Sequence, residues 1–289
     1  MRIAVTGATG LLGSELCRQL GGAGIALGKA RLDLTDEGRA LAVLQQVQPD
    51  VVINTAAYTE VDRAQSASGE MACRSVNDDG VRRLTEACAA ADCLLVHVST
   101  DYVFGADRGR STPYLETDSP GPLNVYGRSK LAAEGHAMLL PRHLIVRTSG
   151  LFGRPGRGGR RHFIDAMLAR GAQAGRVRVV DDQRLAPSFA PHIAASILRL
   201  IAAAARGTYH VVSSGSATWH EFAEEIFRQA GMDVRVDRIS SAEFAAPAVR
   251  PHYSVLDTRK YRDLGYPPLP SWREGLAEYL ALVEPSLSS

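Results

Sequence analysis

The sequence predicts an α/β fold built on a doubly wound parallel sheet, and three observations carry that prediction. A short apolar strand, Met1–Thr6, runs straight into Gly7-Ala8-Thr9-Gly10-Leu11-Leu12-Gly13 and then into a helical pattern over Ser14–Leu20. Two further apolar runs, Val51–Asn54 and Leu94–Val98, each follow a helical pattern. Strands buried on both faces of a parallel sheet read as such continuous runs, and helices cover the faces. Right-handed crossovers then wind the three βα units into one sheet, with ligands expected at the carboxyl ends of its strands.

At 289 residues the chain can bury one large core or two modest ones. Hydrophobic content of 45% and charged content of 22% are those of a soluble globular enzyme. A net charge of +2 gives no reason to expect nucleic acid or a membrane surface as partner. No apolar span reaches membrane length, and Gly7 and Gly10 interrupt any signal-like run, so a cytoplasmic protein is expected. Cys17, Cys73, Cys88 and Cys93 lack metal spacing and are read as free thiols in a reducing compartment. No metal site is assigned.

Taken in order, Gly21-Gly22 end the first helix, and Ile25–Leu27 is a brief second strand. Glycines between strand and helix let backbone N–H groups approach a pyrophosphate, and the helix N-terminus adds a favourable dipole. The spacing G-x-x-G-x-x-G in this context is read as a dinucleotide loop. After the second strand an acidic residue normally holds the ribose hydroxyls of NAD. Here the chain reads Gly28-Lys29-Ala30-Arg31, and the two cations favour the 2′-phosphate of NADPH, with NADH left open. Thr35 or Asp36 is a candidate N-cap for a helix through Leu41, Leu44 and Val47. Thr55–Thr59 are small residues against which a ligand can lie. Glu60–Glu70 reads as a polar loop and Asn77–Ala91 as a helix.

The strand Leu94–Val98 delivers Ser99-Thr100-Asp101 to a carboxyl end, where substrate is expected. A loop, Gly105–Pro122, leads to Asn124-Val125-Tyr126-Gly127-Arg128-Ser129-Lys130. Residues four apart share a helix face, so the Tyr126 phenol and the Lys130 ammonium point to one place. A neighbouring cation favours phenolate, which makes the pair a tunable acid/base for an alcohol oxygen. His143–Thr148 is a further strand, Gly153–Arg161 a basic run, and Phe163–Ala172 a helix. Val177–Val180 is a strand, Pro191–Ala205 a helix with Pro at its start, and Gly207–Val212 a strand. Thr218-Trp219-His220-Glu221 has the form of a capping box opening the helix Phe222–Ala230. Trp272–Val283 is the last helix, and the tail beyond Glu284 is expected to fray.

The glycine motif, Ser99-Thr100 and Tyr126-x3-Lys130 together resemble the extended short-chain dehydrogenase/reductases. Longer strings narrow the resemblance to the dTDP-4-dehydrorhamnose reductase family. These are Ser99–Phe104, Glu116-Thr117-Asp118, Pro122–Gly127, Arg147-Thr148-Ser149, Asp182-Gln183 with Pro187, and Arg250-Pro251-His252-x-Ser254-x-Leu256-x-Thr258. The resemblance runs from about residue 1 to residue 280. It implies a Rossmann-like domain over residues 1–150, with 176–212 returning to it, and a smaller C-terminal substrate-binding lobe from 151–175 and 213–284. It implies reduction of the C4 ketone of a dTDP-linked 4-keto-6-deoxysugar by NADPH or NADH, and a possible homodimer. Tyr126 would protonate the new alkoxide, Lys130 would hold the nicotinamide ribose and depress the tyrosine pKa, and Thr100 would hydrogen-bond the substrate oxygen. Gly7, Gly10, Leu11, Leu12 and Gly13 would carry the pyrophosphate, Asp33 and Leu34 would sit at the adenine, and Ala56, Ala57 and Tyr58 would pass beside the ribose. Ser99, Asp101 and Asn124 would face the sugar. Arg250 is the candidate for the substrate diphosphate, a structural ion pair being its other reading.

Two departures from the family pattern bear on the sugar. A tryptophan usually follows Arg-Thr-Ser and packs on the sugar; here the position is Gly150. A glycine of the Asp-Gln-x-Gly string has become Leu185. The altered pocket leaves open a 4-ketoreductase for a specialised deoxysugar of the antibiotic type. Dehydratases of the superfamily place glutamate after the Thr-Asp pair, whereas Tyr102 follows Asp101 here, which favours reduction. A non-catalytic NADP-binding subunit is the remaining alternative, and intact Thr100, Tyr126 and Lys130 weigh against it.

Overall fold

The computed structural model describes residues 1–156 and 162–287, with side chains placed through residue 283. The central sheet has six parallel strands: β1 (Ile3–Thr6), β2 (Gly24–Leu27), β3 (Val51–Asn54), β4 (Leu94–Thr100), β5 (His143–Thr148) and the edge strand Gly207–His210. Across the sheet the order is Gly207–His210, β5, β4, β3, β1, β2. The order reverses beside β1, and that reversal opens a crevice at the carboxyl ends of the strands.

Strand residues alternate between two apolar layers. Val5, Ile53, Val96 and Val146 pack under the helices Leu11–Leu20 and Ala190–Ala202. Ala4, Val52, Leu95 and Ile145 pack under Arg39–Val47 and Gly80–Ala90 on the other face. A third core, with Phe152, Ile164, Phe222, Trp272 and Tyr279, fills a C-terminal lobe. No helix among the described residues is long and apolar enough to cross a membrane.

The return of 176–212 to the sheet is corrected in part. The strand Arg176–Val180 pairs in parallel with Arg235–Ile239, and Val177 and Val179 belong to the lobe's core. Its Arg176 and Arg178 are exposed between buried valines, the alternation of a half-covered strand rather than of a central one. Only the helix Ala190–Ala202 and Gly207–His210 rejoin the main sheet. Two smaller expectations also change. The helix Arg39–Val47 is preceded by Gly38 in a left-handed conformation, not capped by Thr35 or Asp36, because Thr35 is engaged by the Asp33 carboxylate. The polar loop Glu60–Glu70 contains the start of a helix, Ala67–Arg74, with Ser66 accepting from the Gly69 N–H. The capping box at Thr218 and Glu221 forms in both directions. Part of the basic run Gly153–Arg161 and the end of the tail lie outside the described residues.

The helix Val125–Met138 is tied to β5 by a buried bidentate ion pair. Arg147 donates from Nε to Glu134 Oε1 at 2.9 Å and from Nη2 to Oε2 at 2.7 Å. Removing one member of a fully buried pair strands the other charge. Arg147→Met is therefore expected to destabilise the fold by about 3–5 kcal/mol, read as a lower urea midpoint.

Candidate active site

The glycine turn is shaped by close approach. Gly7 has φ +62°, and a Cβ there would lie 2.6 Å from the Ala56 nitrogen. A Cβ on Gly13 would lie 2.3 Å from the Gly7 carbonyl and 2.6 Å from Thr55 Oγ1. These two glycines press the first helix onto β1 and β3. Gly10 is the N-cap residue of that helix, and with Leu11 and Leu12 it lines a cleft of about 650 Å³. Thr55, Ala57, Val98, Ser99, Thr100, Tyr126, Lys130, Thr148 and Gly150 are among its other walls. The cleft thus occupies the carboxyl edge of β1, β3, β4 and β5, where the switch in strand order predicts a ligand.

The helix carrying Tyr126 is started by Asn124. Its side-chain oxygen accepts from the Gly127 N–H at 2.8 Å, and its amide donates to the Val249 carbonyl at 2.9 Å. A Cβ on Gly127 would sit 2.3 Å from the Tyr102 carbonyl, so the first turn lies directly on the end of β4. Tyr126 packs edge-on against Tyr102 and faces the cleft. Burial pushes its phenol upward, and a hydrogen bond with Thr100 opposes that shift. Lys130 is buried; its Nζ donates to the Val98 carbonyl at 2.7 Å and lies 3.1 Å from His97 Nε2. Desolvation brings its pKa down to about 8. Burial is the largest influence on both the phenol and the ammonium.

Other site expectations are corrected by the partners the side chains already have. Asp101 lies behind the cleft wall: Oδ1 accepts from Thr100, and Oδ2 accepts from Ser149 at 2.8 Å and from Ser254. It binds the ends of β4 and β5 and the segment around Ser254 into one unit. Asn124 is a helix cap rather than a sugar contact. Arg250 is the structural ion pair, bidentate to Asp62 at 2.9 and 2.8 Å, and does not line the cleft. Asp33 closes its own turn on Thr35 and pairs with Lys29 at 3.4 Å; Lys29 and Arg31 are exposed beyond β2. Leu34 is buried; the backbone N–H groups of Ala56 and Tyr58 donate to the side chains of Asn54 and Asn77, and Thr55, Ala57 and Thr59, which alternate with them along the chain, line the cleft.

Several cleft residues escaped the sequence reading. Ser99 Oγ and Thr148 Oγ1 are buried without a hydrogen-bond partner among the described residues, and both residues line the cleft. Only Ser99 had been singled out. Gly156 crosses the glycine turn closely enough that a Cβ would meet the Thr9 carbonyl at 2.2 Å. Gly150 has φ +50°, and a Cβ there would lie 2.8 Å from Leu185 Cδ1. The two departures noted in the sequence are therefore one feature: Leu185 fills the space beside a position that carries no side chain.

Comparison with known proteins gives the family. The model for the RmlD substrate binding domain matches residues 1–284. The chain belongs to that family. It is 41% identical to the dTDP-4-dehydrorhamnose reductase of Streptomyces griseus over 96% of this chain and 92% of that one. It is 37% identical to the dTDP-4-keto-6-deoxy-D-glucose reductase of Streptomyces niveus, covering 98% and 97%. Among solved structures, the dTDP-4-dehydrorhamnose reductase of Bacillus anthracis str. Ames in complex with NADP superposes with a TM-score of 0.91 at 36% identity, covering 97% of this chain and 99% of that one.

Asp101 supplies a pH test of the site's architecture. Burial first, offset by the hydroxyls of Ser254, Ser149 and Thr100, raises its pKa from 3.8 to about 6. A folded value above the unfolded one penalises the ionised form; the penalty is full above pH 6 and is relieved as pH falls toward 3.8. Asp101→Asn lacks this titration. Wild type is expected to gain up to about 3 kcal/mol relative to the variant as pH falls through that window, read by urea unfolding of both proteins.

Proposed function

We propose that the chain reduces the C4 ketone of a dTDP-linked 4-keto-6-deoxysugar, with NADPH as the preferred cofactor and NADH accepted. The observation that carries this reading is the convergence of Thr100, Tyr126 and Lys130 on one cleft with the glycine turn at its other end. The names of the relatives, and the NADP held by a close structural neighbour, support it.

The residues present fit such a cofactor. The turn at Gly10 offers a helix N-terminus to a pyrophosphate, and Ser99 and Thr148 offer unpartnered hydroxyls further along the cleft. Bound NADPH supplies the hydride. Tyr126, kept neutral by burial, gives its proton to the alkoxide that forms at C4. Thr100, whose hydroxyl donates to Asp101 Oδ1 here, would turn that single proton to the oxygen and orient it toward the phenol. Lys130 holds the ribose side of the dinucleotide, and its charge assists Tyr126 when the phenol has lost its proton. Residues 1–150, with Ala190–Ala202 and Gly207–His210, form the dinucleotide side, and the lobe from 151–175 and 213–284, joined by Arg176–Val180, closes on the sugar.

A specialised ketosugar is the second reading, favoured by Gly150: the cleft wall is bare backbone there, and Leu185 blocks any side chain. The deciding experiment follows NADPH oxidation with dTDP-4-dehydro-L-rhamnose beside other dTDP-4-ketosugars. Tyr126→Phe is expected to lower kcat on the order of a hundredfold or more; an unchanged rate would remove the phenol from its role. Loss of the cations in Lys29→Ala/Arg31→Ala is expected to raise the KM for NADPH about tenfold and leave that for NADH unchanged, as measured by initial rates with each cofactor.

A further inference from the structure

A row of buried polar side chains crosses the sheet beneath Lys130. Thr6 on β1 is in register with Asn54 on β3, and Asn54 is in register with His97 on β4. All three are fully buried. Thr6 Oγ1 donates to Asn54 Oδ1 at 2.6 Å, Asn54 Nδ2 lies 3.1 Å from His97 Nδ1, and His97 Nε2 lies 3.1 Å from Lys130 Nζ. The apolar neighbours on this face, Ala4, Val52 and Leu95, give no structural reason for three polar side chains in line.

The direction of the row is fixed by a backbone group. Asn54 Oδ1 also accepts from the Ala56 N–H at 3.2 Å. A backbone amide cannot reverse its role, so the Asn54 oxygen faces Ala56 and its NH₂ faces the histidine. Nδ1 of His97 must then accept, and the neutral ring carries its proton on Nε2. That proton points at Lys130 Nζ. An ammonium has no lone pair to receive it, whereas a neutral amine does.

We propose that Thr6, Asn54 and His97 form a positioning relay that sets the pH at which Lys130 takes up its proton, and with it the pH range in which the cleft is competent. The inference rests on the function proposed above only for its last clause. Other groups bear on the same amine. Glu134, one turn along its own helix, and Cys73, from the helix Ala67–Arg74, both favour the ammonium. Tyr126 lies one turn before it, with Asp101 and Tyr102 behind the phenol. His136 bears on His97 from the far end of the helix. Desolvation drives Lys130 and His97 toward their neutral forms, and the hydrogen-bond directions select the same forms.

The chain has three lysines, Lys29, Lys130 and Lys260, so ¹³Cε-lysine NMR of the unliganded protein resolves Lys130 after one Lys→Arg assignment. Lys130 is expected to titrate near 8, and ¹⁵N shifts of His97 are expected to show the Nε2–H tautomer. Asn54→Asp keeps the acceptor for Thr6 and Ala56 but turns the other atom from donor to acceptor. It is expected to move the His97 proton to Nδ1, raise the Lys130 midpoint by about one pH unit or more, and carry the alkaline limb of kcat/KM upward with it. His97→Gln, which keeps a polar group at the position, serves if the first variant does not fold; its Lys130 midpoint is expected to rise as well. An Nδ1–H tautomer in the wild type, or an unmoved Lys130 midpoint in a folded variant, overturns the relay. Absence of NADPH oxidation with every ketosugar, beside the expected NMR titrations, overturns the function and leaves the relay standing.

Discussion

The site depends on how the helix Val125–Met138 is held. Its buried positions include Ser129, Lys130 and Glu134 beside Val125, Ala133 and Ala137, so it lacks the wide apolar stripe that usually docks a helix. Directional polar contacts take that role. Asn124 fixes its start, Ser129 meets Cys73 and Asn77, Lys130 reaches the Val98 carbonyl, Glu134 grips Arg147, and His136 meets Asp78. An apolar stripe tolerates sliding, whereas hydrogen bonds lapse within a fraction of an ångström. The stricter kind of attachment fixes where Tyr126 stands in the cleft wall.

A second set of hydroxyls does the same for the opposite wall. Asp101 gathers Thr100, Ser149 and Ser254 from three parts of the chain onto one carboxylate. Burying that carboxylate is costly, and its three donors offset the cost only in part, which the raised pKa reports. The C-terminal segment is thereby fastened to the end of β4 by the same group that orients Thr100. The C-terminal segment and the sheet consequently share a joint immediately behind the cleft wall.

Much of this was legible in the sequence. The central strands announce themselves as continuous apolar runs, and the glycine turn and the tyrosine–lysine spacing are local patterns that do not depend on tertiary context. Arg176–Val180 was misplaced because a short β-rich run names no partner. A polar residue next to a site looks the same in sequence whether it faces the cleft or, like Asp101, Asn124 and Arg250, already has partners within the fold. His97 was invisible for a different reason. Its meaning lies in the register that sets Thr6, Asn54 and His97 side by side, and residues drawn from three strands carry no shared spacing along the chain.

The Gly150–Leu185 contact has a consequence for how this cleft can be altered. Any side chain introduced at residue 150 collides with the leucine and must also accept a left-handed backbone, so it is rejected while Leu185 stands. Trimming Leu185 alone opens a void in a buried wall. The two positions touch, so the effects of changing them do not add. Re-engineering of this part of the cleft wall has to treat the two positions as one unit.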